Sequence, residues 1–228
     1  MAGAPASVLV TGFSPFGGDE ENPSRLVARA LDQSRIDGMR VLSAELPVSA
    51  QALPGALEPL WRLRPTAILH LGLAGRRAQV SVERIAVNLF DFATSDNSGE
   101  RLRDTPIVPG GPAAYWATLD VTGTVSALRH HGVPAHASLT AGAFLCNAAM
   151  YLSLHHLATA GETEVPCGFV HLPYLPSQAA AKGADVPSLS LDLMVEATRI
   201  VLQAAILRRR ARLPQAWQAE QAVGAGRE

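Results

Sequence analysis

Short runs rich in β-branched and aliphatic residues alternate with helix-patterned stretches along most of the chain. That alternation permits few folds: a sheet whose faces are covered by helices. Val8–Thr11, Met39–Leu46, Thr66–Leu73, Gln79–Asn88, Ala135–Leu139 and Gly168–Leu172 read as strands. Asn22 caps a helix that carries Pro23 in its first turn and runs to about Ser34. Further helices are expected over 50–63, weakened by Pro54 and Pro59, and over 121–131, 142–157 and 190–210. The stretch from Phe90 to Pro112, rich in Asp, Ser, Gly and Pro, reads as a long loop of the kind that is mobile or functional. The expectation is one α/β domain over residues 1–212 with helices on both faces of a mixed sheet, followed by a disordered tail over 213–228.

Composition removes several classes. With 48% hydrophobic and 17% charged residues the chain can bury a sizeable core, so disorder is not expected. Nineteen Lys plus Arg against twenty Asp plus Glu provide no general field for phosphate, and no nucleic-acid partner is expected. Cys146 and Cys167 are too few for a disulfide scaffold or a Cys-rich zinc site, and no HExxH motif is present, so no metal is expected. The first seven residues lack Lys and Arg and lead into a very short apolar run, which does not read as an export signal. From His130 to Gly161 there is no charged residue, but Gly132, Pro134, Asn147, Ser153, His155 and His156 argue for a buried strand and helix rather than a membrane span.

Chemistry is concentrated in a few places. Thr11-Gly-Phe-Ser-Pro-Phe-Gly-Gly-Asp19 joins a strand to a helix, yet it lacks the Lys-Ser/Thr of a phosphate loop and the glycine spacing of a dinucleotide site. Phe13 and Phe16 are then either core residues or an apolar pocket wall at the sheet's carboxyl edge. Cys146 stands near the start of a helix, where free N–H groups and the positive dipole end favour a thiolate and could hold an oxyanion; the alternative is an inert buried cysteine. A base for it must come from elsewhere, because His155 and His156 lie nine and ten residues along the same helix. His130 and His131 fall at a helix end, and His70 reads as a satisfied core residue. His171, at the end of a strand, is the best-placed imidazole. Glu83, flanked by core-type residues, is either its orienting carboxylate or one half of an ion pair with Arg84 or another cation.

Four segments together resemble the pyroglutamyl peptidase I (pyrrolidone-carboxylate peptidase) family of cysteine peptidases. They are Thr11–Gly18 with Asn22-Pro-Ser24, Ser81-Val-Glu-Arg-Ile-Ala-Val-Asn88, Gly110–Trp116 with Thr140–Asn147, and Gly168–Pro176; similarity around Pro187–Asp192 extends the match over about 8–205. The resemblance implies a three-layer α/β/α sandwich with a mixed central sheet of the phosphorylase/hydrolase-like kind. It also implies a cytoplasmic homo-oligomer, often a tetramer, that needs no cofactor. It carries a Glu–Cys–His triad onto Glu83, Cys146 and His171, and a pocket for the pyroglutamyl ring onto Phe13, Phe16, Asn22, Phe144 and Leu145. The partners it implies are N-terminally pyroglutamylated peptides. One loop departs from the family's frequent Ala-Arg-Ile-Pro-Asp-Asn: here Phe92-Ala-Thr-Ser-Asp-Asn97 puts Ala93 at the arginine position, with Arg101 and Arg103 as candidate substitutes. That departure motivates one further reading, a pyroglutamyl-peptide binder with weakened catalysis; a second, a cysteine hydrolase of another small lactam or amide, arises because the residues specify the triad better than the acyl preference.

Overall fold

The structure, a computed structural model, describes residues 6–183 and 185–212; the expected tail over 213–228 lies outside them. Seven strands form one sheet in the order β2-β3-β1-β4-β9-β5-β8. They are β1 (Ser7–Phe13), β2 (Arg35–Ile36), β3 (Met39–Leu46), β4 (Ala67–Leu73), β5 (Val80–Glu83), β8 (Ala135–Ser138) and β9 (Cys167–Leu172). Strands β3, β1, β4 and β9 run parallel, β5 is antiparallel to β9, and β2 is antiparallel to β3. The sheet is therefore mixed. A separate antiparallel pair joins β6 (Ile85–Val87) to β7 (Ala114–Trp116).

Two apolar layers flank the sheet. On one side α1 (Pro23–Leu31), α3 (Val121–His130) and α6 (Leu191–Arg212) bury Val27, Leu31, Leu128, Met194, Val201 and Ile206 against Val8, Val10, Leu69 and Leu71. On the other, α2 (Leu53–Trp61) and α4 (Leu145–Thr159) bury Leu53, Leu57, Met150, Tyr151 and Leu154 against Leu9, Ile68 and Phe169. The strict in–out alternation of β1 and β4 residues between these two clusters is the period-2 geometry of a strand covered on both faces.

Most elements lie where their residue patterns place them, and the differences have local causes. Asn22 caps α1 as expected, its Oδ1 accepting from Ser24 N at 3.1 Å. The single strand expected over 79–88 is two: β5 ends at Glu83 and Arg84 redirects the chain into β6, away from the main sheet. Helix α4 starts at Leu145 rather than Gly142, because Gly142 adopts φ 84°, a left-handed conformation outside the helix, and Phe144 is extended. α5 (Pro176–Lys182) and β7 are short elements with no counterpart in the sequence reading.

The 90–112 segment contains no helix or strand but is well anchored. Phe90 and Thr105 exchange backbone hydrogen bonds at 2.7 and 3.1 Å, and Phe92 N donates to Leu102 O at 2.8 Å. Asp96, buried in the bend, accepts from Ala50 N, Ser98 N and Glu100 N. Asn97 Nδ2 donates to Pro15 O at 3.0 Å, tying the loop to the turn after β1.

Candidate active site

The site forms at the carboxyl end of β9, next to the antiparallel neighbour β5. His171 is the fifth residue of β9; in the ladders it stands opposite Gly72 of β4 and Ser81 of β5. Glu83 closes β5 and is fully buried. His171 Nδ1 and Glu83 Oε1 are 2.7 Å apart. An ionised carboxylate can only accept, so Nδ1 carries the hydrogen and Nε2 is left with its lone pair.

Cys146 arrives from the opposite layer as the second residue of α4. It is partly exposed, whereas Cys167 is fully buried in the second core cluster. Its sulfur packs over Gly72: a Cβ built on that glycine would stand 2.9 Å from Cys146 Sγ and 2.6 Å from Phe169 Cζ. Gly72 thus touches the sulfur while pairing with His171, so the missing side chain is what lets thiol and imidazole share one end of the sheet. Gly72→Ala is expected to push the sulfur aside and lower kcat/KM about 10²-fold, since displacements near 1 Å cost that much. It should cost about 1–3 kcal/mol in stability through overpacking. Steady-state kinetics beside a thermal melt test this, and unchanged kcat/KM would mean that the thiol has slack.

The start of α4 supplies electrostatics as well as position. Its first helical bond runs from Ala148 N to Phe144 O, and Phe144 offers no side-chain cap. The N–H groups of Leu145, Cys146 and Asn147 therefore have no acceptor within the helix, as at any helix start, and they concentrate positive potential beside the sulfur. Asn147 locks this turn in place. Its Oδ1 accepts from Val87 N at 2.9 Å and its Nδ2 donates to Val87 O at 2.8 Å, stitching α4 to β6.

Charge states follow from burial and neighbours. Burial opposes ionisation of Glu83, but the hydrogen bond and charge of His171, the Ser138 hydroxyl and the Arg77 guanidinium outweigh it and hold the carboxyl below its ordinary value. Burial likewise draws His171 below the usual imidazole range, with the Glu83 contact pulling back and Arg77 adding to the lowering. Burial pushes the Cys146 thiol up to about 12; the Glu83 charge adds to this and Arg77 opposes it. Both shifts favour the neutral thiol and the neutral imidazole over the charged pair.

Beside the sulfur lies a pocket of about 270 Å³ lined by Phe13, Phe16, Asn22, Phe144, Leu145 and Cys146. All five residues expected for the ring pocket therefore border one cavity. Phe13 is at once core and wall: it is 2% exposed, with its ring 6.4 Å from Phe169. Phe16 and Phe92 pack on Phe144 at centroid distances of 5.2 and 4.5 Å. Asn22 spends its amide within the turn, donating to Ser14 O at 3.1 Å and accepting from Ser24 Oγ at 2.8 Å. Across the mouth, Lys182 pairs with Asp19 at 2.6 Å and lies 4.8 Å over the Tyr174 ring.

Neither proposed substitute for the loop arginine reaches this pocket. Arg103 pairs with Asp91 at 2.8 Å, and Arg101 Nε donates to Phe92 O at 3.4 Å; both are exposed, as is Ala93. The guanidinium that does enter the site is Arg77, whose Nη1 lies 2.6 Å from Glu83 Oε1. The alternative ion pair with Arg84 is absent, because residues 83 and 84 face opposite ways and Arg84 Nη2 reaches Thr122 Oγ1 at 3.5 Å instead. The remaining histidines of the site's flank are structural. His70 is fully buried between Thr11 Oγ1 at 2.7 Å and Ser153 Oγ at 2.9 Å, and burial lowers its pKa to about 3. His155 bonds Tyr115, and His156 stacks on Trp61.

The model of the pyroglutamyl peptidase family matches residues 6–208. The chain belongs to the pyroglutamyl peptidase family. Pyrrolidone-carboxylate peptidase of Pyrococcus furiosus is 42% identical over 203 residues, covering 87% of this chain and 97% of that protein. The enzyme of that name from Klebsiella pneumoniae is 43% identical over 202 residues, covering 88% and 93%. The X-ray structure of pyrrolidone carboxyl peptidase from Pyrococcus furiosus superposes with a TM-score of 0.85 at 41% identity, covering 89% of this chain and 99% of that one. The α/β/α fold with its mixed seven-stranded sheet is thus that of the pyroglutamyl peptidases. Among the described residues, no group of three or more His, Cys, Asp or Glu is placed to hold a metal ion, and no helix is long and apolar enough to cross a membrane.

Proposed function

We propose that this pyroglutamyl peptidase family member is a cysteine exopeptidase that removes N-terminal pyroglutamyl residues, with Cys146 as nucleophile, His171 as acid and base, and Glu83 as the carboxylate that orients the imidazole. The observation that carries the reading is the 2.7 Å Glu83–His171 bond beside a helix-start cysteine at the wall of an aromatic pocket.

The uncharged five-membered lactam suits a pocket walled by Phe13, Phe16 and Phe144. A pyroglutamyl residue has no free α-amine, so no ionic anchor is required. Cys146 passes its proton to His171 Nε2 as sulfur adds to the acyl carbonyl, and the N–H groups at the start of α4 bind the oxyanion. His171 then returns the proton to the departing nitrogen as the C–N bond breaks, leaving a thioester. A water deprotonated by His171 adds to that thioester, the C–S bond breaks, and pyroglutamate and the free thiol result.

The same reading takes residues 1–212 as the working domain and places it in the cytoplasm as a homo-oligomer acting on pyroglutamyl peptides. The direct bond between Glu83 and His171 favours catalysis over a binding-only role, because a mere binder has no need of an oriented base. The test is turnover of a pyroglutamyl amide by the purified chain, before and after limiting iodoacetamide. Turnover that disappears in step with alkylation of Cys146, and not of buried Cys167, is the expected result. No turnover of any pyroglutamyl amide, with hydrolysis of another lactam or with tight binding alone, would replace the reading.

A further inference from the structure

We propose that Arg77 is a positioning residue for hydrolysis: its guanidinium holds Glu83 Oε1 where that same oxygen orients His171. The inference rests on the triad proposed above and adds to it a fourth residue that does not line the pocket.

The geometry is specific. Oε1 of Glu83 receives two hydrogen bonds, from Arg77 Nη1 at 2.6 Å and from His171 Nδ1 at 2.7 Å. The other oxygen, Oε2, is buried with no hydrogen bond at normal distance, though the Ser138 hydroxyl is near enough to favour the charge. This fully buried carboxylate is kept ionised by His171, the Ser138 hydroxyl and Arg77, and of these His171 and Arg77 grip Oε1. His171 cannot be the anchor, because it is the group to be aimed and its own charge changes during the reaction. Arg77 is charged at every working pH and comes from outside the sheet, on the loop between β4 and β5. That loop is held by a turn from Arg77 N to Ala74 O at 3.0 Å, and Gly75 lies so close under the Tyr174 ring that no side chain would fit there. Of the adjacent pair Arg76 and Arg77, only the second is turned inward.

The placement also sets a sign. Around His171 the charged and titratable groups are Glu83 and Arg77 on the β5 side and Cys146 on α4; β4 brings Gly72 to its register and His70 already bonded to Thr11 and Ser153, and on β8 His136 faces Ser81. Removing the Arg77 charge favours the protonated form of Glu83, His171 and Cys146 alike. The acid limb of the pH–rate profile therefore moves to higher pH whichever of the three controls it.

The experiment compares wild type with Arg77→Met, Arg77→Gln and Arg77→Lys, using pyroglutamyl amide turnover across pH and, in parallel, NMR titration of the His171 ring. Arg77 is one-third exposed, at 32%, so the two uncharged variants are expected to fold. Both should raise the acid limb and the His171 midpoint by about one unit. On the acid limb that equals about a tenfold loss of kcat with KM little changed, because Arg77 does not line the pocket. Arg77→Lys, which keeps the charge, should stay within half of that shift. Uncharged variants with an unmoved limb and an unmoved ring titration would overturn the proposal, as would a lysine variant shifted as far as they are. If wild type itself fails to hydrolyse pyroglutamyl amides, the hydrolytic reading falls alone, since the ring titration still reports whether Arg77 acts on His171.

Discussion

Cys146→Ala is expected to abolish hydrolysis of a pyroglutamyl amide while leaving the protein folded. Loss of a nucleophile that works as a unit with its base costs on the order of 10⁶-fold in kcat, and what remains reflects oxyanion binding and proximity. The structural cost is small, because the residue borders the pocket and is only partly buried, and the helix that carries it is held by Asn147 and the apolar residues beyond. A melt within a few degrees of wild type, with pyroglutamyl peptide still bound, would separate chemistry from folding. Turnover above about a hundredth of wild type would exclude a covalent route through this sulfur. Cys146→Ser should behave almost as badly, since a hydroxyl is far harder to deprotonate with the same imidazole.

The second large effect is expected at Glu83. In Glu83→Gln the shape is kept but the charge is lost, so the amide competes for Arg77 and His171 with a donor where only acceptors belong. The imidazole loses its fixed tautomer, and the imidazolium formed during attack loses its counter-charge. A triad whose acid is replaced in this way drops by about 10⁴ in kcat. KM should change little, because Glu83 is not part of the pocket lining. The measurement is kcat and KM determined separately at a pH on the plateau. A loss of kcat smaller than tenfold would reduce Glu83 to a structural ion pair with Arg77.

The α/β layering, the span of β3 and the Asn22 cap were legible in the chain, and so was the choice of Glu83 and His171 as residues to look at together. Strands covered on both faces leave long apolar runs, and a helix cap leaves a short polar signature next to proline. What the residue pattern could not carry is direction. Nothing in the run from Gln79 to Asn88 marks Arg84 as the place where the backbone leaves the sheet, since the β-branched alternation continues on either side. The start of α4 depended on the backbone angle of Gly142, which composition does not report. Arg77 was missed for a related reason. Proximity in the chain favoured Arg84 as the partner of Glu83, whereas strand geometry sends adjacent side chains to opposite faces and lets a residue across a loop fold back instead. An outward search from Glu83 for cations at even offsets or across the preceding turn would have raised Arg77 as a candidate.

The turn that bears Phe13 and Phe16 is tied off before any guest arrives: Phe13 N donates to Ser24 Oγ, Ser14 N to Leu46 O, and the Asn22 amide to Ser14 O. The loop bearing Ala93 is moored to the same turn through Asn97 and Pro15. On the proposed reading a pyroglutamyl ring would meet a wall already tied in place, and the binding free energy it releases need not be diverted into ordering the host. What is saved there can be used instead to hold the scissile carbonyl against the sulfur.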